Sequence, residues 1–266
     1  MESAGRLAHV VNTAAAPVDA PVIEVALGVV FEPLPELGPI GLARLASDWQ
    51  GEYPTMREVP GRPPGRLDPP GTVIEFGTGA PPSRLWLLSS DENNLIQLQS
   101  DTLIINWRRI RPEDVYPGHE QLIARFERLW AEFQTKSSRR KAIKPKLVEW
   151  TYVDRLESDA LSDGGITFVD WSLGSRLPGI ERGFNFQVVR ELRATGKREG
   201  YLSITGNPAN GPDTGSFYAL NISTKLNSAG IPESEVGARI KEAHDFSYSA
   251  FTAVVDPALQ GGRVSE

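Results

Sequence analysis

The chain has 266 residues, no cysteine and a formal net charge of −6 at pH 7. The absence of cysteine excludes disulfides, thiolate metal sites and cysteine nucleophiles, and it fits the reducing cytoplasm that we predict as the location. The negative charge argues against a general binder of polyanions, and the lack of an apolar run of about 18 residues argues against a membrane-spanning helix.

The opening strand is the clearest element of the sequence. Residues 20–31 alternate, and one wholly apolar face consists of Ile23, Val25, Leu27, Val29 and Phe31. The opposite face is small and semi-polar and consists of Val22, Glu24, Ala26, Gly28 and Val30. This period-2 pattern predicts a sheet whose apolar face packs under helices. The preceding residues 1–20 are predicted to be a flexible arm.

A short helix, a long irregular segment and a meander follow. Residues 40–49 predict the helix, whereas residues 51–71 hold six prolines and four glycines. Segments of this kind are disordered or serve as functional lids, and we expect disorder here because they cannot build a core. Turn residues separate the next three predicted strands, and this pattern predicts an antiparallel meander. They span 84–89, 95–99 and 103–108.

The rest of the chain repeats this order in outline. A helix at 117–134 carries an apolar stripe, and it precedes a strand at 147–156 and a short strand at 166–171. A second meander is expected at 183–224, with a ten-residue loop of Asn, Pro and Gly at 206–215. The last helix is predicted to begin near Pro232 and to run to about Val255.

These elements predict an α+β fold with a large curved antiparallel sheet. We expect two tandem strand–helix–meander–helix halves at 21–145 and 146–257, with the long helices packed on one face of the sheet and a flexible tail at 258–266. Saddle folds of the TATA-binding type and helix-grip folds have the same element order. That comparison concerns the fold and carries no function.

Short motifs in a fixed order carry a family resemblance. They include a Pro-Val-Ile-Glu strand that ends in Phe, a Trp-Arg and Tyr-Pro stretch before the first long helix, and a last helix with His and Phe. They lie at 21–31, 86–91, 95–98, 106–108, 116–117, 152–153 and 244–251. In this order they resemble a family of uncharacterised prokaryotic proteins that are sporadically distributed among bacteria and archaea. The Pro-rich segment at 51–71 departs from that family's pattern. The resemblance implies the fold and an association with accessory genes, such as those of defence or toxin–antitoxin systems.

Four residues are candidates for ligand binding, namely Glu24, Arg84, Arg108 and His244. A carboxylate in the middle of a strand must be solvated, paired or in a cavity, because burial of an unpaired charge is costly. We expect Glu24 to form a cross-strand ion pair with Arg84 or Arg108; the alternative is a polar group on a ligand-facing surface. His244 lies near the apolar stripe of the last helix, which is typical of a core histidine bonded to a carbonyl, with a general base as the alternative. His119 and Glu120 are expected to complement the start of a helix.

A basic run lies between the first long helix and the following strand. It consists of Lys136, Arg139, Arg140, Lys141, Lys144 and Lys146. Cations near a helix C-terminus complement the dipole, and this is the expected role; nucleic-acid or phosphate binding is the alternative.

Standard catalytic and cofactor motifs are absent from the sequence. No glycine-rich dinucleotide motif, Walker-type loop, zinc-protease motif or nucleophile elbow occurs, so we predict no cofactor and no metal. The leading hypothesis is a non-enzymatic accessory module that binds a protein partner or a second copy of the chain. The alternatives are nucleic-acid or small-ligand binding in the groove of the sheet, and a hydrolase or nuclease with an unfamiliar carboxylate site.

Overall fold

The structure is a computed structural model that describes residues 21–62, 83–137, 142–157, 166, 185–211, 215–257 and 260. The predicted arm at 1–20 and nearly all of the predicted tail at 258–266 lie outside these residues. The first half of the chain holds strands β1 to β5 and helices α1 and α2. These are Val22–Phe31 (β1), Pro39–Ser47 (α1), Thr55–Val59 (β2), Arg84–Leu88 (β3), Asn94–Gln99 (β4), Thr102–Arg108 (β5) and His119–Ser137 (α2). The second half holds Pro145–Glu157 (β6), Phe186–Ala194 (β7), Lys197–Gly211 (β8), Gly215–Asn227 (β9), a 3-10 turn at Glu233–Glu235 and Val236–Val254 (α3).

All of these strands join one nine-stranded sheet in the order β2-β3-β4-β5-β1-β6-β9-β8-β7. Every neighbouring pair is antiparallel. The predicted α+β class and antiparallel sheet are therefore confirmed. The opening strand β1 lies near the middle of the sheet, between β5 and β6.

One face of the sheet carries the hydrophobic core and is called the helix face below. On β1, the side chains of Val25, Leu27, Val29 and Phe31 are buried within this core. The ring of Phe31 lies 6.0 Å from that of Trp130 and 5.3 Å from that of Phe133 in α2. Further along the same face, the ring of Trp150 in β6 lies 4.9 Å from that of His244 in α3. The opposite face, which includes Glu24, Ala26 and Gly28, is called the second face.

One residue of the opening strand departs from its predicted face. A register shift in the β1–β6 ladder lies between Val22 and Glu24, and Val22 is buried in the core whereas Ile23 is partly exposed. A bulge of this kind adds one residue and reverses the alternation beyond it. The prediction that Ile23 packs under the helices is therefore wrong.

The segment predicted to be disordered contains an edge strand. β2 pairs with β3 from Thr55↔Leu88 to Val59↔Arg84, and the side chain of Tyr53 is only 1% exposed. The prediction is wrong for 51–62 because β3 offers a free edge that supplies hydrogen-bond partners from outside the segment. Residues 63–71 lie outside the described residues.

The loop predicted at 206–215 is also mostly strand. β8 continues to Gly211 and β9 begins at Gly215, with pairs such as Pro208↔Tyr218. β7 ends its pairing with β8 at Gly206, so Pro208 lies where β8 has become an edge strand. Proline is tolerated at an edge because its missing N–H is not needed there. Of the strand predicted at 166–171, Ile166 bridges Val255 and the other residues lie outside the described ones.

The predicted helices agree with the structure in position and buried face. In α2 the stripe Leu122, Phe126, Leu129 and Phe133 is buried. α3 follows a 3-10 turn that begins one residue after Pro232. No helix in the described ranges is both long and apolar enough to span a membrane.

Candidate functional site

Four polar side chains form a diagonal chain of hydrogen bonds across the second face. Arg84 Nη1 donates to Gln97 Oε1 at 2.9 Å, and Gln97 Nε2 donates to Asn106 Oδ1 at 2.7 Å. Asn106 Nδ2 then donates to Glu24 Oε1 at 2.6 Å. The four residues lie on β3, β4, β5 and β1 in turn, so the chain connects two of the predicted binding residues through two amides. Such amide links satisfy buried polar groups that would otherwise be costly.

Glu24 has an amide partner in place of the predicted ion pair. It lies opposite Arg108 in the β1–β5 ladder, but Arg108 Nη2 donates to the carbonyl of Glu92 at 2.9 Å. Among the described residues, no Lys or Arg nitrogen lies within 4.0 Å of the Glu24 carboxylate. Burial raises the pKa of Glu24, although Asn106 and the more distant Arg108 act in the opposite direction.

A second carboxylate, Glu149, lies on the same face and does have a cation. It is 5% exposed, and its Oε1 accepts a hydrogen bond from Arg62 Nη1 at 2.8 Å. Gln99 fixes the backbone of Arg62, since it accepts from the Arg62 N–H at 2.9 Å and donates to the Arg62 carbonyl at 3.1 Å. Burial opposes the charged form, but Arg62 and Lys225 outweigh it and hold the pKa of Glu149 below its ordinary value.

Between these two carboxylates runs a row of short side chains. It crosses four neighbouring strands and consists of Ala26, Thr151, Ser223 and Ser203, which we call the short-side-chain band. All four are partly exposed, and Thr151 Oγ1 donates to Ser223 Oγ at 2.8 Å. Because neighbouring strands lie about 4.8 Å apart, the band is about 14 Å long. The hydroxyl groups can donate to and accept from a bound group.

The second face also holds buried donors that lack acceptors. They are Arg84 Nε, Trp86 Nε1 and Arg108 Nε, and within the described part of the chain none of them has a hydrogen-bond partner. Trp86 lies opposite Gln97 in the β3–β4 ladder, and the Arg84 guanidinium lies 5.6 Å from its ring centroid. A buried donor without an acceptor costs about 1–3 kcal/mol, so an acceptor-bearing ligand at these positions would be stabilised.

On the helix face, two histidines stack on each other. The rings of His119 and His244 lie 4.0 Å apart with an interplanar angle of 17°. His244 is 4% exposed, and its Nδ1 lies 2.9 Å from Asp245 Oδ1. The predicted core position of His244 is confirmed, but its partner is a carboxylate and not a carbonyl. Tyr152 lies beside it, with ring centroids 6.0 Å apart.

The surroundings of His119 favour its neutral form. Burial lowers the pKa of His119 to about 4, and His244 and Lys241 lower it further while Asp245 opposes them. Nearly parallel rings cannot direct their nitrogens at one metal ion. Across the described residues, no group of three or more His, Cys, Asp or Glu side chains is placed to hold a metal.

Two of the described residues of the basic run, Lys136 and Lys144, are paired with acids. Lys136 Nζ lies 3.2 Å from Asp48 Oδ2 and 5.8 Å from the centroid of the Trp49 ring. Lys144 Nζ lies 3.2 Å from Glu32 Oε2, and Lys146 is exposed. The other three residues, Arg139, Arg140 and Lys141, lie outside the described residues.

Comparisons with known proteins gave no relative. No family model, curated protein or solved structure matches this chain. The resemblance to the sporadically distributed prokaryotic family stays a prediction.

The sequence missed several residues of the second face. Gln97, Asn106, Arg62 and Lys225 gain their roles only through neighbours on other strands. Glu149 carried a usable signal, because it lies in the middle of a predicted strand as Glu24 does. The same reasoning about mid-strand carboxylates would have found it.

Proposed function

We propose that the chain is a non-enzymatic interaction module that binds an extended segment of a partner protein across the second face. The observation that carries this proposal is the short-side-chain band, which lies partly exposed and runs from β1 in the middle of the sheet to β8, on the face opposite α2 and α3. Short hydroxyl side chains leave room for a backbone, and their oxygens and O–H groups match its amides. The band is long enough for about four extended residues.

We also propose that the two halves of the chain are structurally equivalent. The sheet order supports this, since β5, β4 and β3 follow β1 on one side as β9, β8 and β7 follow β6 on the other. α2 and α3 each contain 19 residues and each follows the last strand of its half. In this equivalence Ala26 of β1 corresponds to Thr151 of β6, and these two residues lie opposite each other where the halves meet. The Ala26–Thr151 pair of the band then lies at the joint between the halves, and Ser223 and Ser203 extend the band into the second half.

A second candidate function is the binding of a small ligand with acceptor oxygens on the same face. The observation that favours it is the set of buried donors without acceptors, Arg84 Nε, Trp86 Nε1 and Arg108 Nε. Thermal denaturation with phosphate and with citrate tests it. We expect stabilisation of the unmodified chain and less stabilisation of Trp86→Phe, which removes the N–H and keeps a ring. No shift with either anion contradicts this candidate.

The interaction proposal is tested by selection of seven-residue peptides from a displayed library on the purified chain. We expect enriched peptides whose binding is lost in Ser223→Arg, because a long side chain there fills the band. The matched control is Thr135→Arg, which adds the same side chain at an exposed position of α2. Absence of enrichment, or binding that survives Ser223→Arg, contradicts the proposal.

A further inference from the structure

Glu24 and Glu149 occupy equivalent positions in the two halves. Each lies on the first strand of its half and faces a cation on the last strand, with Glu24 opposite Arg108 and Glu149 opposite Lys225. Glu24 is two residues from Ala26 on β1, and Glu149 is two residues from Thr151 on β6, so the central pair lies between them. The two carboxylates therefore lie on opposite sides of the short-side-chain band.

The two positions differ in the presence of a guanidinium at hydrogen-bond distance. Arg62 Nη1 lies 2.8 Å from Glu149 Oε1, and the Arg62 backbone is held by Gln99 at two points. Arg62 lies outside the sheet, after the end of β2. Its guanidinium therefore approaches Glu149 in the way that the guanidinium of a bound ligand would. Within the described residues Glu24 has only the Asn106 amide and lacks a cation within 4.0 Å.

We propose that Glu24 is the binding subsite for the guanidinium of an arginine side chain carried by the bound partner segment. The inference rests on the proposed function and adds the chemistry of the residue that the partner supplies. Arg62 on Glu149 is the internal example of the contact, and Glu24 is the equivalent carboxylate without it.

The surroundings of Glu24 suit an arginine in particular. Asn106 Nδ2 occupies one side of Glu24 Oε1, and Arg108 is held back by its bond to the Glu92 carbonyl. A planar guanidinium can approach a carboxylate with two parallel N–H groups, whereas an ammonium acts as a point charge. The net charge of −6 favours a cationic partner through long-range attraction.

The position of Glu24 also fits a segment that lies on the band. Glu24 and Ala26 point to the same face of β1 and are about 7 Å apart along the strand. An arginine in a segment that crosses Ala26 and Thr151 reaches this distance with its side chain. The neighbouring Val153, opposite Glu24 on β6, is partly exposed and offers an apolar contact for the arginine methylenes.

Fluorescence anisotropy with three labelled heptapeptides tests this inference. The probes are Gly-Ser-Thr-Arg-Thr-Ser-Gly and the same peptide with lysine or with citrulline in place of arginine. Citrulline keeps the shape of arginine and removes its charge. At about 150 mM salt we expect the arginine peptide to bind at least about tenfold more tightly than the citrulline peptide. The reason is that a hydrogen bond from a charged guanidinium to a carboxylate strengthens binding by about a factor of ten relative to one from a neutral group. The lysine peptide is expected between them.

Two variants assign the effect to Glu24. Glu24→Gln keeps an oxygen that accepts from Asn106 and removes the charge, so we expect it to bind arginine and citrulline peptides equally. Glu32→Gln is the matched control, since it removes one negative charge at an exposed residue that pairs with Lys144. The control is expected to keep the preference for arginine. Urea denaturation of both variants shows whether each remains folded.

Three other outcomes would overturn the inference, and each of them can be told apart from a failure of the proposed function. If the wild-type chain binds arginine and citrulline peptides equally, the inference is wrong and the proposed function stands. The same holds if Glu24→Gln keeps the preference. If neither peptide binds, the inference is also wrong, and the library selection with Ser223→Arg decides the proposed function independently.

Discussion

His119 and His244 stack at 4.0 Å although they lie in different halves of the chain. His119 opens α2 and His244 lies in the middle of α3, so the stack joins the two long helices over β6. Farther along α2, Trp130 Nε1 donates to the carbonyl of Glu233, in the 3-10 turn that precedes α3, at 3.1 Å. The contact between the helices therefore has a titratable end and a non-titratable end.

Acid is expected to destabilise the protein through His119. The pKa of His119 is lowered to about 4 in the folded state, so the unfolded chain binds its proton first as the pH falls. The stabilising contribution is therefore complete above the ordinary pKa of about 6.5 and is lost as the pH falls towards about 4. Urea denaturation between pH 7 and pH 4 measures this. His119→Phe keeps a stacking ring, and we expect it to show a smaller loss of stability over that range than the wild type. An equal loss contradicts the assignment.

Gly28 is expected to tolerate no side chain. A Cβ at this position would lie 2.4 Å from the Leu103 carbonyl oxygen and 2.7 Å from the Ile104 Cα, and backbone atoms cannot move aside cheaply. Gly28→Ala should lower the free energy of unfolding by about 1–3 kcal/mol. Gly51→Ala is the control, because nothing lies within 4 Å of its added Cβ, and it should change stability by less than about 0.5 kcal/mol. Chemical denaturation compares the two variants. Equal losses of stability would show that the close approach of the Leu103 and Ile104 backbone does not determine the effect at Gly28.

The buried hydroxyls of Thr224 and Ser247 are expected to behave as a coupled pair. Their oxygens lie 2.7 Å apart between β9 and α3, and both residues are fully buried. Thr224→Val or Ser247→Ala leaves the other hydroxyl without its partner, which costs about 1–3 kcal/mol. The double variant removes both groups, so its loss should be smaller than the sum of the single losses. A double-mutant cycle by urea denaturation measures the coupling, and additive losses would contradict it.

Arg62→Gln is expected to destabilise the protein at neutral pH. The variant leaves the buried carboxylate of Glu149 without its closest cation, at a cost of about 1–3 kcal/mol. Because the folded pKa of Glu149 is lowered, the pair stabilises the fold above the ordinary carboxyl pKa, and this contribution disappears as the pH falls through the folded value. The difference between wild type and variant should therefore shrink in acid.

Arg57→Gln is the control for this experiment. Arg57 lies 3.3 Å from Glu92 in an ion pair whose two side chains are exposed, and such pairs contribute at most about 1 kcal/mol. Urea midpoints at pH 7 and at pH 3 compare the two variants. If Arg57→Gln and Arg62→Gln lose equal stability at pH 7, burial of Glu149 does not amplify the effect of its partner.

Local patterns in the sequence were sufficient to predict most of the helices and strands. The alternation of Val25, Leu27 and Val29 predicts their burial on one face, and the spacing of Phe126 and Phe133 predicts the buried stripe of α2. Both patterns follow from the geometry of a single strand or helix, so no distant part of the chain is needed. Patterns failed where a distant strand supplied the partners, as for Thr55–Val59 beside β3.

The sequence by itself determined the α+β class, the antiparallel strands and the presence of a mid-strand carboxylate at Glu24. Only the tertiary structure decided that Glu24 bonds to Asn106, that Arg62 pairs with Glu149 and that His119 stacks on His244. The physical reason is the distance along the chain over which each property is determined. Burial on a face depends on periodicity within about ten residues, whereas the partner of a polar group depends on sheet order and register, which bring together side chains from distant strands.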